Sequence, residues 1–302
     1  MTINPLLKRI NNDRVLTLDG AVGTEIEKLH IIQNPQLWSS DALVNHPEVV
    51  EQIHQRYLAA GADIIETATY QANPHFLDAQ GVDEAALVDR AINLARAAVA
   101  TSHRAVRPLI AGSLGPYGCS LNDGSEYTGK YHRSYQEFQD YHAASLDLFA
   151  GQVDFLAVET IPHFGEIQAL VDLLESRGLA GWVSLSLNDH QDLADGTPLK
   201  AVISFLNQAP AVLAIGANCM NINQATASVR KIAALTFKPV VIYPNNGDVF
   251  NQARGEWQVV PGAPQFSDLV PEWIAAGARI IGGCCRVTPA DIAAIHQACL
   301  IK

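Results

Sequence analysis

Two adjacent cysteines, Cys284 and Cys285, follow a glycine pair in RIIGGCCRVTPADI, and a third, Cys219, closes IGANC. Thiolates are soft donors that select zinc over magnesium or calcium. Three of them leave one position of a tetrahedral Zn2+ open, which is how catalytic zinc sites differ from closed structural ones. Cys219 and Cys284 stand 65 positions apart, so only a fold that returns its strand ends to one place can join them on one ion. The competing reading is that small thiols simply pack in a core. It suits Cys119, in a loop, and Cys299, on the last helical stretch, better than three cysteines that all end apolar runs. Neighbouring side chains alternate along a strand, so turning both Cys284 and Cys285 inward needs a distorted strand end, which Gly282 and Gly283 permit.

Other chemistries find little support. The histidines are scattered: His54, His103 and His296 fall in amphipathic stretches, His132 and His190 in polar ones, with no HxH or HExxH spacing. There is no GxSxG elbow and no Walker A loop.

The elements that must position the cysteines alternate regularly. Apolar or β-branched runs at 15–20, 64–69, 108–115, 154–160, 181–187, 211–219, 239–245 and 279–285 read as strands. Between them lie stretches such as PEVVEQIHQRYLAAGA with apolar residues at helical spacing, several ending in glycine, as at Gly61, Gly178 and Gly277. Eight strands, each followed by a helix, predict an α/β fold with a single (β/α)8 TIM-type barrel over residues 1–302. A doubly wound sheet would show a dinucleotide-binding turn after its first strand, and LDGAVGTE lacks GxGxxG spacing. The polar stretches 124–135 and 189–200 follow strands three and five, on the face where this fold builds active sites.

With 302 residues, 48% of them hydrophobic, the chain can bury a large core. A net charge of −11 with no basic stripe argues against nucleic acid. No run approaches a membrane span, and the N-terminus lacks a secretory pattern. Five cysteines, an odd number, with two adjacent, indicate reduced thiols and a cytoplasmic protein.

In order along residues 18–292, LDGAVGTE, ETATYQAN, AGSLGPYG, VETIP, GANC, YPNNG and GGCCRVTPADI resemble the homocysteine S-methyltransferase family, and the loops DGSEYTGKYH and DGTPL resemble its short members that use S-methylmethionine. The resemblance implies that Cys219, Cys284 and Cys285 hold zinc and that homocysteine brings its thiol to the fourth position. A sulfonium donor, S-methylmethionine or secondarily S-adenosylmethionine, would then yield methionine. It also implies that Asp19 and Glu159 bind the ammonium group of homocysteine while the N–H groups of Gly20 and Ala21 meet its carboxylate. By residue type alone, Asp19 equally suits a turn and Glu159 an ion pair. Asn218 could orient the ligands, occupy the fourth site, or merely form a turn. Thr67, Tyr70 and Gln71 would face the same mouth, and Trp38 and Tyr70 offer aromatic faces to a sulfonium. Betaine-using relatives carry an aromatic where Gln71 stands, and only 17 residues follow Cys285, both of which weigh against betaine. That length also leaves no room for folate or corrinoid domains and suggests a monomer or simple homodimer. The alternatives are a selenocysteine methyltransferase, the homocysteine-binding subunit of a corrinoid-dependent system, and a non-catalytic zinc or thiol sensor.

Overall fold

The structure, a computed structural model, describes residues 4–10, 14–34, 37–72, 77, 81–251 and 256–300. Asn73, the last residue of ETATYQAN, lies outside the described residues. Ten strands occur among these residues. β1 (Leu16–Thr17), β2 (Ile64–Glu66), β3 (Leu109–Leu114), β4 (Phe155–Ile161), β5 (Gly181–Leu185), β6 (Val212–Asn221), β7 (Val240–Asn245) and β10 (Ala278–Ile281) form one sheet, ordered β1-β10-β7-β6-β5-β4-β3-β2. Every pairing in it is parallel, and a further parallel bridge between Leu18 and Ile64 closes β1 onto β2. The TIM-type barrel is therefore complete. β8 (Val249–Asn251) and β9 (Glu256–Gln258) make a separate antiparallel pair after β7.

Strand alternation sorts the core into two layers. Leu109, Ala111, Phe155, Ala157, Trp182, Ala214, Val241 and Ile280 point into the barrel, where alanines leave room for the Trp182 and Phe155 rings, 5.1 Å apart. Their neighbours Ile110, Leu156, Val158, Val183 and Ile215 face outward and pack with the helices. Those helices follow the strands as expected, for example Pro47–Ala59, Glu84–Thr101, Phe164–Ser176 and Pro289–Leu300. Gly61 and Gly277 end two of them with φ of 111° and 116°, a conformation that costs glycine little. His103 departs from the sequence expectation: it lies just past the helix that ends at Thr101. No helix among the described residues is long and apolar enough to cross a membrane.

The amino-terminal rim of the barrel is tied by Asp63. Its carboxylate accepts from the Thr17 backbone N–H at 3.2 Å and from the guanidinium groups of Arg14 and Arg104, each at 2.7 Å. The Asp63 N–H in turn donates to the Thr17 carbonyl at 2.7 Å, joining β1 to the start of β2. Asp63→Ala should leave the buried Thr17 N–H unpaired and lower unfolding free energy by about 1–3 kcal/mol. Because this rim is remote from the cysteines, bound metal per chain should not change; denaturant titration and metal analysis of the variant check both.

Candidate active site

At the opposite rim, the strands stop being regular where the chemistry begins. The expected strand 279–285 ends at Ile281, and Gly282 to Cys285 continue as irregular chain. The Gly282 N–H donates to the Ile242 carbonyl at 3.0 Å, Gly283 to Asp19 at 3.1 Å and Cys284 to Pro244 at 2.8 Å, so neighbouring strand ends steer the segment. Val287 N–H then closes a turn onto the Cys284 carbonyl at 3.1 Å. A turn is free of strand alternation, which is how two adjacent thiols reach the same side. Glycine is needed for close approach: a Cβ on Gly283 would lie 2.2 Å from the Val287 side chain, and one on Gly282 2.6 Å from Leu18.

Cys219 arrives by a different distortion. The β6–β7 register shifts between Asn218 and Asn221, and Cys219 takes the left-handed region at φ 55°. The adjacent β4–β5 register shifts between Val158 and Ile161, where Thr160 has φ 59°. Such backbone costs about 1–3 kcal/mol per residue and persists only when its surroundings enforce it. Asn218 does so. Its Oδ1 accepts from the Thr160 N–H and the Ser184 hydroxyl, and its Nδ2 donates to Thr160 Oγ1, each at 2.8 Å. The Asn245 amide donates to the Cys219 carbonyl at 3.2 Å. The Asn218 side chain thus bolts two irregular strand ends together.

The three sulfurs lie within 4.8 Å of one another, and Cys219 Sγ is 3.6 Å from Cys285 Sγ. Tetrahedral zinc with bonds of about 2.3 Å sets sulfurs about 3.8 Å apart, so the triad fits such an ion. Hydrogen bonds from Cys284 and Cys285 hold the Cys219 thiol well below its ordinary range, while donation to Cys219 pushes both partners well above theirs. Three thiolates this close repel one another, so ionising all three calls for a cation.

Beside the triad stands a buried acidic group. Asp19 is 1% exposed and Glu159 5%, with Asp19 Oδ2 accepting from the Glu66 N–H at 3.1 Å and Glu159 accepting from the Ser113 hydroxyl. Asp19 Oδ1 and Glu66 Oε1 are buried without a partner, and no lysine or arginine among the described residues pairs with these acids. Burial raises Asp19 and Glu66 well above the carboxylate range, and burial with the nearby Cys219 charge raises Glu159 to about 7. The N–H groups of Gly20 and Ala21 donate to no described residue. Gly20 is glycine because a Cβ would come within 2.8 Å of the Val287 carbonyl and 2.9 Å of the Tyr57 hydroxyl.

The remaining expected residues divide. Tyr70 is brought to the mouth, its buried hydroxyl next to Thr160 and in the field of Cys219. Gln71 lies beside Cys119. Thr67 is consumed in strand ties, its hydroxyl 2.7 Å from that of Thr69 and accepting from the Ser113 N–H at 3.0 Å. Trp38 covers Gly23 and donates to Glu27. Cys119 sits in a 3-10 turn, Tyr117–Leu121, and Cys299 on the last helix.

Glu66, Tyr127, Glu126 and Asn245 were missed. Glu66 had a signal, a lone charge inside the apolar run IIETAT. Tyr127 had none, because it reaches Cys219 (Oη to Sγ, 3.5 Å) from a loop 92 residues earlier. That loop is anchored by Glu166, fully buried on the helix after β4, which accepts from the Tyr117 N–H at 2.6 Å and the Tyr131 hydroxyl and pairs with His142 at 2.7 Å.

The profile of a family described as homocysteine S-methyltransferase matches residues 16–299. The homocysteine S-methyltransferase of Escherichia coli (strain K12) is 43% identical, over 97% of this chain and 97% of that protein. The selenocysteine Se-methyltransferase of Brassica oleracea var. italica is 34% identical over 93% and 87%. A crystal structure of the metallated Escherichia coli homocysteine methyltransferase superposes with a TM-score of 0.87 at 40% identity, covering 97% of this chain and 99% of that one.

Two outcomes follow from the geometry. Cys284→Ser should abolish stoichiometric metal binding while the circular dichroism spectrum stays that of a folded barrel; full metal occupancy in that variant refutes the ligand set. Glu159 has a raised folded pKa, so the stability of its protonated form is complete below about 4.5 and is lost as pH rises towards about 7. In metal-free protein, Glu159→Gln should therefore raise the melting temperature more at pH 8 than at pH 5, and an equal gain at both would overturn this account.

Proposed function

The chain belongs to the homocysteine S-methyltransferase family, and on that premise we propose that it transfers a methyl group from S-methylmethionine to homocysteine through zinc held by Cys219, Cys284 and Cys285. The observation that carries the zinc assignment is the donor set: three convergent sulfurs with no oxygen or nitrogen ligand among them. Zinc bound there supplies a Lewis acid that brings the homocysteine thiol, which ordinarily titrates near about pH 8.5, to its thiolate at neutral pH.

The protein's own groups orient the substrates. Asp19 and Glu159, with Glu66 behind Asp19, supply carboxylates that an ammonium group completes, and the absence of a lysine or arginine partner among the described residues supports that role. The free N–H groups of Gly20 and Ala21 suit the carboxylate at the other end of the amino acid. Asn218 acts on substrate indirectly, by holding Cys219 and Thr160 in their irregular backbone. The homocysteine thiolate forms its new S–C bond as the donor's C–S bond breaks, the bonding pair passing to the departing sulfur. A sulfonium becomes a neutral thioether, so the leaving group needs no proton, and a site without a catalytic histidine suffices. S-adenosylmethionine is the secondary donor. Selenocysteine shares the acceptor's soft nucleophile and is carried as a second acceptor by the similarity to the Brassica enzyme. The whole barrel, residues 1–302, is the homocysteine-binding unit, acting as a monomer or simple homodimer, and its free cysteines suit a reducing cytoplasm.

Purified protein given only zinc, homocysteine and S-methylmethionine should form methionine, lose turnover when a chelator strips the metal, and regain it with zinc. Turnover that survives stripping, or that strictly requires an added corrinoid protein, refutes the proposal.

A further inference from the structure

Glu126 is left over once the metal site and the homocysteine acids are accounted for. It stands in the 3-10 turn Ser125–Tyr127 at the carboxyl end of the barrel, immediately before the tyrosine whose hydroxyl is 3.5 Å from Cys219 Sγ. Its Oε2 is buried without a hydrogen-bond partner, and no lysine or arginine among the described residues forms an ion pair with it. The turn cannot easily move to relieve this: a Cβ on Gly118 would lie 2.7 Å from the Glu126 backbone nitrogen, and Tyr131 is tied to Glu166. A buried carboxylate oxygen without a partner is costly unless a ligand completes it.

Glu126 also enters the mouth from a different element than the homocysteine acids. Asp19 follows β1, and Glu66 and Glu159 stand in β2 and β4, whereas Glu126 stands in the loop after β3. The mouth therefore holds a further carboxylate with an unsatisfied oxygen, while the reaction read above brings two amino acids together there.

We propose that Glu126 is a specificity-determining residue for the methyl donor, its carboxylate receiving the α-ammonium group of an amino-acid sulfonium. This rests on the methyltransferase reading. The ammonium is the better partner on physical grounds. The sulfonium loses its charge as the methyl leaves, so a carboxylate against it would stabilise the ground state more than the transition state. The ammonium keeps its charge throughout, so binding it lowers KM without raising the barrier to transfer.

The test is Glu126→Gln with S-methylmethionine and with 4-(dimethylsulfonio)butanoate, the same sulfonium without its amino group, used as a competitor. In the variant, KM for S-methylmethionine should rise about 10- to 100-fold, the worth of one charge-assisted hydrogen bond. The KM for homocysteine, kcat and zinc content should stay near wild type, and Glu126→Asp should recover part of the loss. Wild-type enzyme should bind S-methylmethionine much more tightly than the deaminated competitor, and in Glu126→Gln that gap should close. A gap that persists, a rise in the homocysteine KM, or a fall in kcat alone overturns the proposal. Failure of the wild-type enzyme to methylate homocysteine would instead refute the reading on which it rests.

Discussion

Three thiolates cannot crowd together without a cation, and that constraint organises the whole carboxyl rim of this barrel. With sulfurs within 4.8 Å of one another, hydrogen bonds from Cys284 and Cys285 favour the thiolate of Cys219 at their own expense. Assembling that arrangement requires backbone a parallel sheet does not provide. One strand stops early so that Cys284 and Cys285 can enter a turn, and another bulges so that Cys219 can adopt φ 55°. The regular sheet supplies convergence, and its local failure supplies direction.

The same rim carries acidic groups that no lysine or arginine among the described residues pairs with. Asp19, Glu66 and Glu159 lie beside the triad, and burial raises all three above the ordinary carboxylate range. Such a cluster opposes folding at neutral pH and is sustained by stability generated elsewhere. The two-layer core and the Asp63 tie at the far rim are where it comes from. The division matches a general feature of these barrels, in which one face carries stability and the other chemistry.

Between those faces, buried polar side chains hold the irregular backbone of the rim in place. Asn218 spends its side chain on Thr160 and Ser184, and Glu166 pins the loop that carries Glu126 and Tyr127. Both are buried polar networks in a low-dielectric interior, where satisfied hydrogen bonds are strong and a missing partner is expensive. They position the mouth's side chains through protein contacts alone, and such preorganisation favours binding by reducing the ordering that ligands must impose.

Strand periodicity and the glycine stops were enough to read the eight strands and the closed barrel, because burial on both faces of a parallel sheet leaves an unmistakable apolar run. The cysteine pair after two glycines pointed to metal for an equally local reason: donor type and geometry are properties of the residues themselves. Tertiary structure decided the rest. It turned Asn218 into a clamp, employed Thr67 in strand ties, brought Glu66 behind Asp19, and carried Tyr127 across 92 residues to Cys219. Periodicity reports which face of an element a residue occupies, but a side chain's partner depends on register shifts, turns and loop anchoring, which act through space and leave no spacing in the chain to read.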